Sequence, residues 1–320
     1  MIISILIPVY NVEQYIERCI NSVIKQSILN KIECECIIIN DQTKDNSIEI
    51  AKKIISQYTG KLKFKIIEHS KNRGLAAARN TAVSYAKGKY LIHIDSDDYC
   101  EPTLLEELYN VAEKYNAEIT GCDFYIDLKE KKIINTYKNS GFNSQECFDD
   151  TISGKYPSSI WRKLIRKDLY VKNNLKEIEG INNGEDYIIS IKLHYYAKNV
   201  AYVHKPLYNY IKYNNTSIIS SIKKEYVIQH IEACKEIERF LKENKLFEKY
   251  KIAFYERCFI AKRPLILIPK LQDITKWKTT FPESNKYIHY YKLSLKNKIA
   301  WIIISKIPQL GGAIIKFFKK

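Results

Sequence analysis

Over the first ~115 residues, apolar runs of strand length alternate with segments of helical period, and few folds accommodate that order. The strand-like runs are 3–8, 34–40, 64–68 and 90–95. Between and after them lie 12–26, 45–58, 75–87 and 101–115, with apolar residues spaced i, i+3, i+4. Asp45 with Ser47 and Glu49 marks a helix start, and Gly88 a helix stop. Alternation at this spacing predicts βαβ units and an α/β fold with a mostly parallel sheet flanked by helices. Such sheets bind ligands at the carboxyl ends of their strands. The residues that follow the strands are Val9-Tyr10-Asn11, Asp41, 69–73 and Asp95-Ser96-Asp97-Asp98, so polar groups converge on one edge. That edge is the expected site.

From about residue 120 the alternation weakens. Residues 119–128, 132–137 and 200–210 read as strands, 144–153 and 185–197 as helices, and 222–260 as helical and amphipathic. A soft boundary near residue 220 divides a sheet-bearing unit, 1–220 (halves about 1–115 and 116–220), from a helical region, 221–320. The chain of 320 residues is 46% hydrophobic and 28% charged, a globular rather than a disordered balance. No run approaches the roughly 20 apolar residues of a spanning helix. The apolar start, 1–8, lacks a basic flank and a small-residue cleavage site, so it reads as a buried strand rather than a signal peptide. The 8 cysteines form no CxxC pair and no ligand-like group with His. Free core thiols in a reducing, cytoplasmic compartment are the expectation.

Three segments carry chemistry. In Ile92-His93-Ile94-Asp95-Ser96-Asp97-Asp98 an apolar strand ends in three carboxylates within four residues. Without a cation these groups would repel one another and hold raised pKa values. Hard divalent ions such as Mg2+ or Mn2+ take oxygen ligands, keep waters and bridge to substrate phosphates. An acidic helix cap before Glu101-Pro102 is the bland alternative, but a cap needs one carboxylate rather than three. In 36–47, Asp41 closes a buried strand, where a carboxylate can accept from a base or ribose; a plain Asn/Asp turn has the same look. In Asn72-Arg73-Gly74-Leu75-Ala76-Ala77-Ala78-Arg79-Asn80, small residues at a helix start admit close backbone approach, and Arg73 or Arg79 can face phosphate. An alanine-rich helix packed on the sheet would read the same way. The stretch is neither a Walker A loop nor GxGxxG.

Together these segments resemble the family 2 glycosyltransferases, inverting enzymes of GT-A fold. The residues that carry the likeness are Ser4-Ile5-Leu6-Ile7-Pro8-Val9-Tyr10-Asn11, Asn40-Asp41 with Asp45-Asn46-Ser47, Asn72-Arg73-Gly74 with Ala78-Arg79-Asn80, and Asp95-Ser96-Asp97-Asp98. Trp161-Arg162-Lys163-Leu164 and Gly184-Glu185-Asp186 extend it, so that it covers roughly residues 1–215. The resemblance implies a nucleotide-sugar donor, usually a UDP-sugar, and a divalent cation, Mg2+ or Mn2+. It implies that Pro8, Val9, Tyr10 and Asn11 line the nucleotide, that Asp41 contacts uracil, and that Asn72 and Arg79 flank the donor. Asp95, beside Ser96, would lie near the ribose, and Asp97 on a metal bridging the diphosphate. His204, before Lys205-Pro206, could complete the metal or phosphate site, although a lone His near a strand is more often structural. Asp186 is implied as the general base, with Glu185 as its alternative; the pair could instead cap the helix that follows. The chain departs from the family at Gln42-Thr43-Lys44, where Gly-Ser-Thr is common. Physics supplies the logic of the reaction. Charge developing on a departing diphosphate needs a Lewis acid, and an acceptor hydroxyl needs a carboxylate to take its proton.

From Lys286 to Lys320 the chain carries 8 Lys and no Asp or Glu, half of its +16 net charge. Trp301-Ile302-Ile303-Ile304 and Phe317-Phe318 among these lysines predict peripheral contact with an anionic membrane, at the inner face of the cell membrane. The longest uncharged stretch, 307–315, has 9 residues and is too short to span. Such contact suits a glycan acceptor carried on polyprenyl diphosphate, as in bacterial surface-polysaccharide assembly. On this reading a chain ending near Lys286 stays soluble and keeps nucleotide binding; the other reading is a docked helix with a solvated basic face. Two rival functions are weaker. Nucleic-acid binding rests on charge alone, since Lys is 44 of the 52 basic residues and no recognition pattern accompanies them. A sugar nucleotidyltransferase would show a Gly-rich, basic loop where Val9-Tyr10-Asn11-Val12 stands.

Overall fold

A computed structural model describes residues 1–137, 143–214, 223–311 and 313–314. Its strands are β1 (Ile3–Val9), β2 (Cys34–Asn40), β3 (Lys63–Glu68), β4 (Tyr90–His93), β5 (Tyr99–Cys100), β6 (Ile119–Asp127), β7 (Lys132–Asn135), β8 (Lys163–Arg166) and β9 (Val200–Ile211). They form one sheet in the order β3-β2-β1-β4-β8-β6-β9-β5, with β7 paired to β6. The four strands predicted from the first half are all parallel. β8 then runs antiparallel to both β4 and β6, and β9 lies parallel to β6.

β1 and β2 are buried at every position, as strands covered on both faces must be. Their side chains alternate between two cores. Ile3, Ile5 and Ile7 pack with α1 (Ile16–Ile24), α2 (Ser47–Gln57) and α4 (Leu104–Lys114). Leu6, Ile37 and Leu91 pack against α3 (Leu75–Tyr85), α6 (Lys167–Lys172) and α7 (Glu185–Tyr196). All eight cysteines are buried. The helix expected from residue 12 begins only at Ile16, because the amides of Asn11, Val12 and Glu13 bond instead to the side chains of Thr43, Ser47 and Asp45. β5 and β8 were not legible as strands. Tyr99–Cys100 is only two residues long. In Lys163–Arg166 the cations break the apolar pattern, although the Lys163 ammonium is buried on the Pro157 carbonyl at 3.1 Å.

The boundary expected near residue 220 falls outside the described residues. On either side of it the chain shares a core. α5 (Ser144–Ser153) and α7 contribute Phe148, Tyr187 and Ile188. α8 (Lys224–Glu243), α9 (Phe247–Lys262), α10 (Pro264–Leu267), α11 (Ile274–Thr279) and α12 (Leu295–Lys306) complete it. In this core Trp301 meets Phe259 and Trp277 at ring-centroid distances of 4.9 and 5.8 Å and is 3% exposed. Trp301 and Ile304 therefore face the protein, which corrects the expectation that they contact lipid and that the chain can end near Lys286. Leu295, Ile299, Ile302, Ile303, Ile307 and Leu310 point outward instead. Phe317 and Phe318 lie outside the described residues. No described helix is long and apolar enough to cross a membrane.

Candidate active site

The loops after β1, β2, β3 and β4 meet at the carboxyl edge of the sheet and open into a cleft of about 1060 Å³. Pro8, Val9, Tyr10, Asn11, Asp41, Asn72, Arg79, Asp95, Ser96, Asp97, Glu185 and Asp186 all line it. His204 does not. It is exposed on β9 against the Tyr202 ring, roughly 20 Å along the strand from Tyr210, which does line the cleft. Lys44 is exposed outside the cleft as well, so the departure at 42–44 puts no cation into it.

Asp41 organises the nucleotide-side wall. Its Oδ1 accepts from the Arg73 amide (2.8 Å) and lies 2.7 Å from His69 Nδ1. Its Oδ2 accepts from the Gly74 amide (2.7 Å) and the Asn72 side chain (3.0 Å). Four bonds fill the lone pairs of one carboxylate. The loop into α3 is thereby fixed, and Gly74 completes it with φ 88°, a value that side chains rarely adopt. A Cβ there would also lie 2.5 Å from Asn182 Oδ1, the atom that accepts from the Ala76 amide at the start of α3.

Arg79, 1% exposed on α3, joins the two carboxylate groups that the sequence singles out. Its Nη2 donates to Asp95 Oδ1 at 2.9 Å, and its Nη1 to Asp186 Oδ1 at 2.6 Å and Glu185 Oε1 at 3.1 Å. Glu177, which the sequence reading missed, lies 3.8 Å from the same guanidinium. One cation among four carboxylates leaves the cluster short of positive charge. Burial pushes Glu177 well above the carboxylate range, and burial with the like charge of Asp186 pushes Glu185 up to about 7. Asp186 is also raised, chiefly by burial, with Arg79 opposing. Its side chain is 21% exposed against 8% for Glu185, so Asp186 is the more open of the two to the cleft.

The acidic strand end divides. Asp98 turns inward, 1% exposed, where Oδ1 accepts from the Ile211 amide (2.7 Å) and Oδ2 from the Tyr208 hydroxyl (2.9 Å). It pins β9 behind the site. Asp95 and Asp97 stay in the cleft, and burial with the charge of Asp95 pushes Asp97 up to about 6. Asn214 donates to Asp97 Oδ2 at 2.8 Å. Among the described residues no group of three His, Cys, Asp or Glu side chains forms a ready-made metal cage. Two neighbouring carboxylates in one cleft do fit Mg2+ or Mn2+, which bind through one or two carboxylates with waters and substrate phosphates.

Helix α8 reaches this site from outside the sheet. Asn182 donates its amide to Gln229 Oε1, and Asn183 its side chain to the Tyr226 carbonyl, both at 2.9 Å. Gly184 follows at φ 99°, where a Cβ would lie 2.8 Å from the Ala233 Cβ. This clamped turn delivers Glu185 and Asp186. Farther along the cleft, Trp161 stacks between Tyr208 and Tyr210 at 4.6 and 5.2 Å.

The carboxyl edge of the sheet thus bears an acidic pair, Asp95 and Asp97, that faces a second pair, Glu185 and Asp186, on a neighbouring helix. The chain belongs to glycosyl transferase family 2, whose model matches residues 4–171. It is 29% identical over 284 residues to the cholesterol galactosyltransferase of Borreliella burgdorferi, covering 83% of this chain and 76% of that protein. It is 29% identical over 269 residues to the uncharacterised glycosyltransferase EpsJ of Bacillus subtilis, covering 81% and 71%. The fold matches S. aureus TarS, residues 1–349, solved in complex with UDP-GlcNAc, with TM-score 0.72, 18% identity, and coverage of 100% and 92%. The fold is thus GT-A, with a helical C-terminal region.

Proposed function

We propose that this glycosyltransferase moves a sugar from a UDP-sugar to a hydroxyl of a glycan acceptor, with inversion, in bacterial polysaccharide assembly. The observation that carries the reading is the Arg79 guanidinium, which joins Asp95 on one nitrogen to Asp186 on the other within one cleft. Pro8, Val9, Tyr10 and Asn11 would line the nucleotide, Ser96 and Asp95 the ribose, and Asn72 the donor. A uracil N3–H would compete with the Asn72 amide for Asp41 Oδ2. Asp97, with Asp95, would hold Mg2+ or Mn2+, which supplies Lewis-acid stabilisation of the diphosphate leaving group. Asp186 takes the acceptor proton, the freed oxygen attacks the anomeric carbon, and the bond to the diphosphate breaks on the opposite face. Arg79 keeps Asp186 in place, and Glu185 stays beneath it.

The acceptor is proposed to be a lipid-linked glycan, such as one carried on polyprenyl diphosphate. The chain would meet it at the inner, anionic face of the cell membrane through the outward stripe of α12. Incubation with a panel of nucleotide sugars and Mn2+ tests the chemistry. Free UDP is the expected product, and pyrophosphate instead would establish nucleotidyl transfer.

A further inference from the structure

The cleft is not uniformly acidic. Its carboxylates gather around Arg79, whereas the wall built by the helical region carries cations with no acidic partner. Arg257 on α9, and Lys212 and Lys223 at the mouth, line the cleft, and none has a carboxylate within salt-bridge reach among the described residues. Arg257 is held in place. Its guanidinium lies 4.7 Å from the centroid of the Tyr187 ring, next to Asp186 in sequence. A Cβ on Gly154 would come within 2.8 Å of its Nη1, so the missing side chain makes the room. Its Nε is buried without a hydrogen-bond partner. His230 beside it is pushed down to about 4 by burial and by the Arg257 charge, so it adds no cation at neutral pH. Glu225 is the acidic residue of this wall, and it accepts from Gln229 at 3.3 Å.

We infer that Arg257, with Lys212 and Lys223, forms an acceptor subsite for an oxyanion, a phosphodiester or carboxylate carried next to the hydroxyl that is glycosylated. This rests on the glycosyltransferase reading and names its acceptor class. An anionic acceptor entering a cleft with Asp95, Asp97, Glu185 and Asp186 at its floor meets like charge. Cations beyond Asp186 offset that repulsion and hold the anion to one side, leaving its hydroxyl toward the base. A guanidinium suits the task because its fork bonds two oxygens of a phosphate or carboxylate at once.

Calorimetry on the full chain loaded with UDP and Mn2+ tests this, at low ionic strength, with three probes: a glycerol-phosphate oligomer, an oligogalacturonate and a neutral maltooligosaccharide. The expected result is binding of at least one anionic oligomer and not of the neutral one. The tighter of the two names the oxyanion. Arg257→Gln should weaken that binding about tenfold or more, Arg257→Lys less, and Lys212→Gln with Lys223→Gln a few-fold, while UDP affinity stays unchanged in all. The lysine variants sit at exposed positions and keep the test open should Arg257→Gln fold poorly. The inference is overturned if neither anionic oligomer binds, if the variants bind it as wild type does, or if Arg257→Gln loses UDP rather than the oligomer. Failure of the glycosyltransferase reading would show separately, as wild type that does not bind UDP.

Discussion

Asp97 and Asp186 are carboxylates with opposite needs. In the proposed reaction Asp97 must be ionised to hold a cation, and its pKa of about 6 lies above the ordinary 3.8. The folded state therefore binds that proton more tightly than the unfolded chain. The resulting stability is present below about pH 4 and is lost as pH rises through about 6. Bound cation replaces the proton, so Mn2+ with UDP should raise the melting temperature more at pH 7.5 than at pH 5, and Asp97→Asn should abolish that difference. An equal rise at both pH values would contradict the assignment. Asp186, the proposed base, must accept a proton; Asp186→Asn removes that ability and one negative charge beside Arg79, while its amide oxygen can still accept from Nη1. UDP-sugar binding near wild type with transfer lowered roughly 10²–10⁴-fold is the expected outcome. If Glu185→Gln is inactive and Asp186→Asn is active, the buried carboxylate rather than the open one is the base. Asp95, Asp97 and Asp186 were legible because each follows directly on a recognisable motif. Glu177 and Asn182 were not, since their partners Arg79 and Ala76 lie far upstream and nothing local marks them.

At the scale of elements, the turn before α7 sets the position of Asp186, and two helices, α3 and α8, hold it. Asn182 ties it to α3, Gln229 and Tyr226 tie it to α8, and Gly184 lets the backbone pass Ala233. Gly184→Ala would meet both a positive φ and the Ala233 methyl, and should cost about 1–3 kcal/mol while displacing Asp186. Kinetics should show a fall in transfer rate with UDP affinity retained. Ala233→Gly in the same chain should relieve the contact but not the backbone strain, giving partial recovery. Full recovery would place the whole effect in packing, and no loss from Gly184→Ala would remove the clamp. The sequence exposed the helix and its acidic start, but not this clamp. α8 looked like part of a separate region because periodicity reports which face is apolar and says nothing of its partner.

At the scale of the molecule, the parallel half of the sheet was legible because β1, β2 and β4 are buried and largely apolar and the edge strand β3 still carries Ile66-Ile67, whereas the tail was legible only in composition. Its lysines and aromatics did not reveal that Trp301 closes a protein core. The structure puts Trp301 and Ile304 on the core-facing side of α12 and Ile299, Ile302 and Ile303 on its outer side. Trp301→Ala removes a ring packed on Phe259 and Trp277 and should cost about 3–5 kcal/mol without reporting on lipid. Leu295, Ile299, Ile302, Ile303, Ile307 and Leu310 recur at helical spacing on the outer face, with Lys292, Lys296, Lys298 and Lys306 around them. Burying that stripe would contribute about 25 cal/mol per Å² of apolar surface, and each lysine near an anionic bilayer on the order of 1 kcal/mol. Both contributions are needed for a stripe this short. The full chain should therefore sediment with anionic liposomes, bind neutral ones poorly, and lose part of its binding at high salt. Leu295→Glu with Leu310→Glu should abolish sedimentation and leave the melting temperature and UDP affinity unchanged, because these are the most exposed side chains of the stripe. If the doubly substituted chain still sediments, or wild type ignores anionic liposomes, α12 serves only to close the helical core.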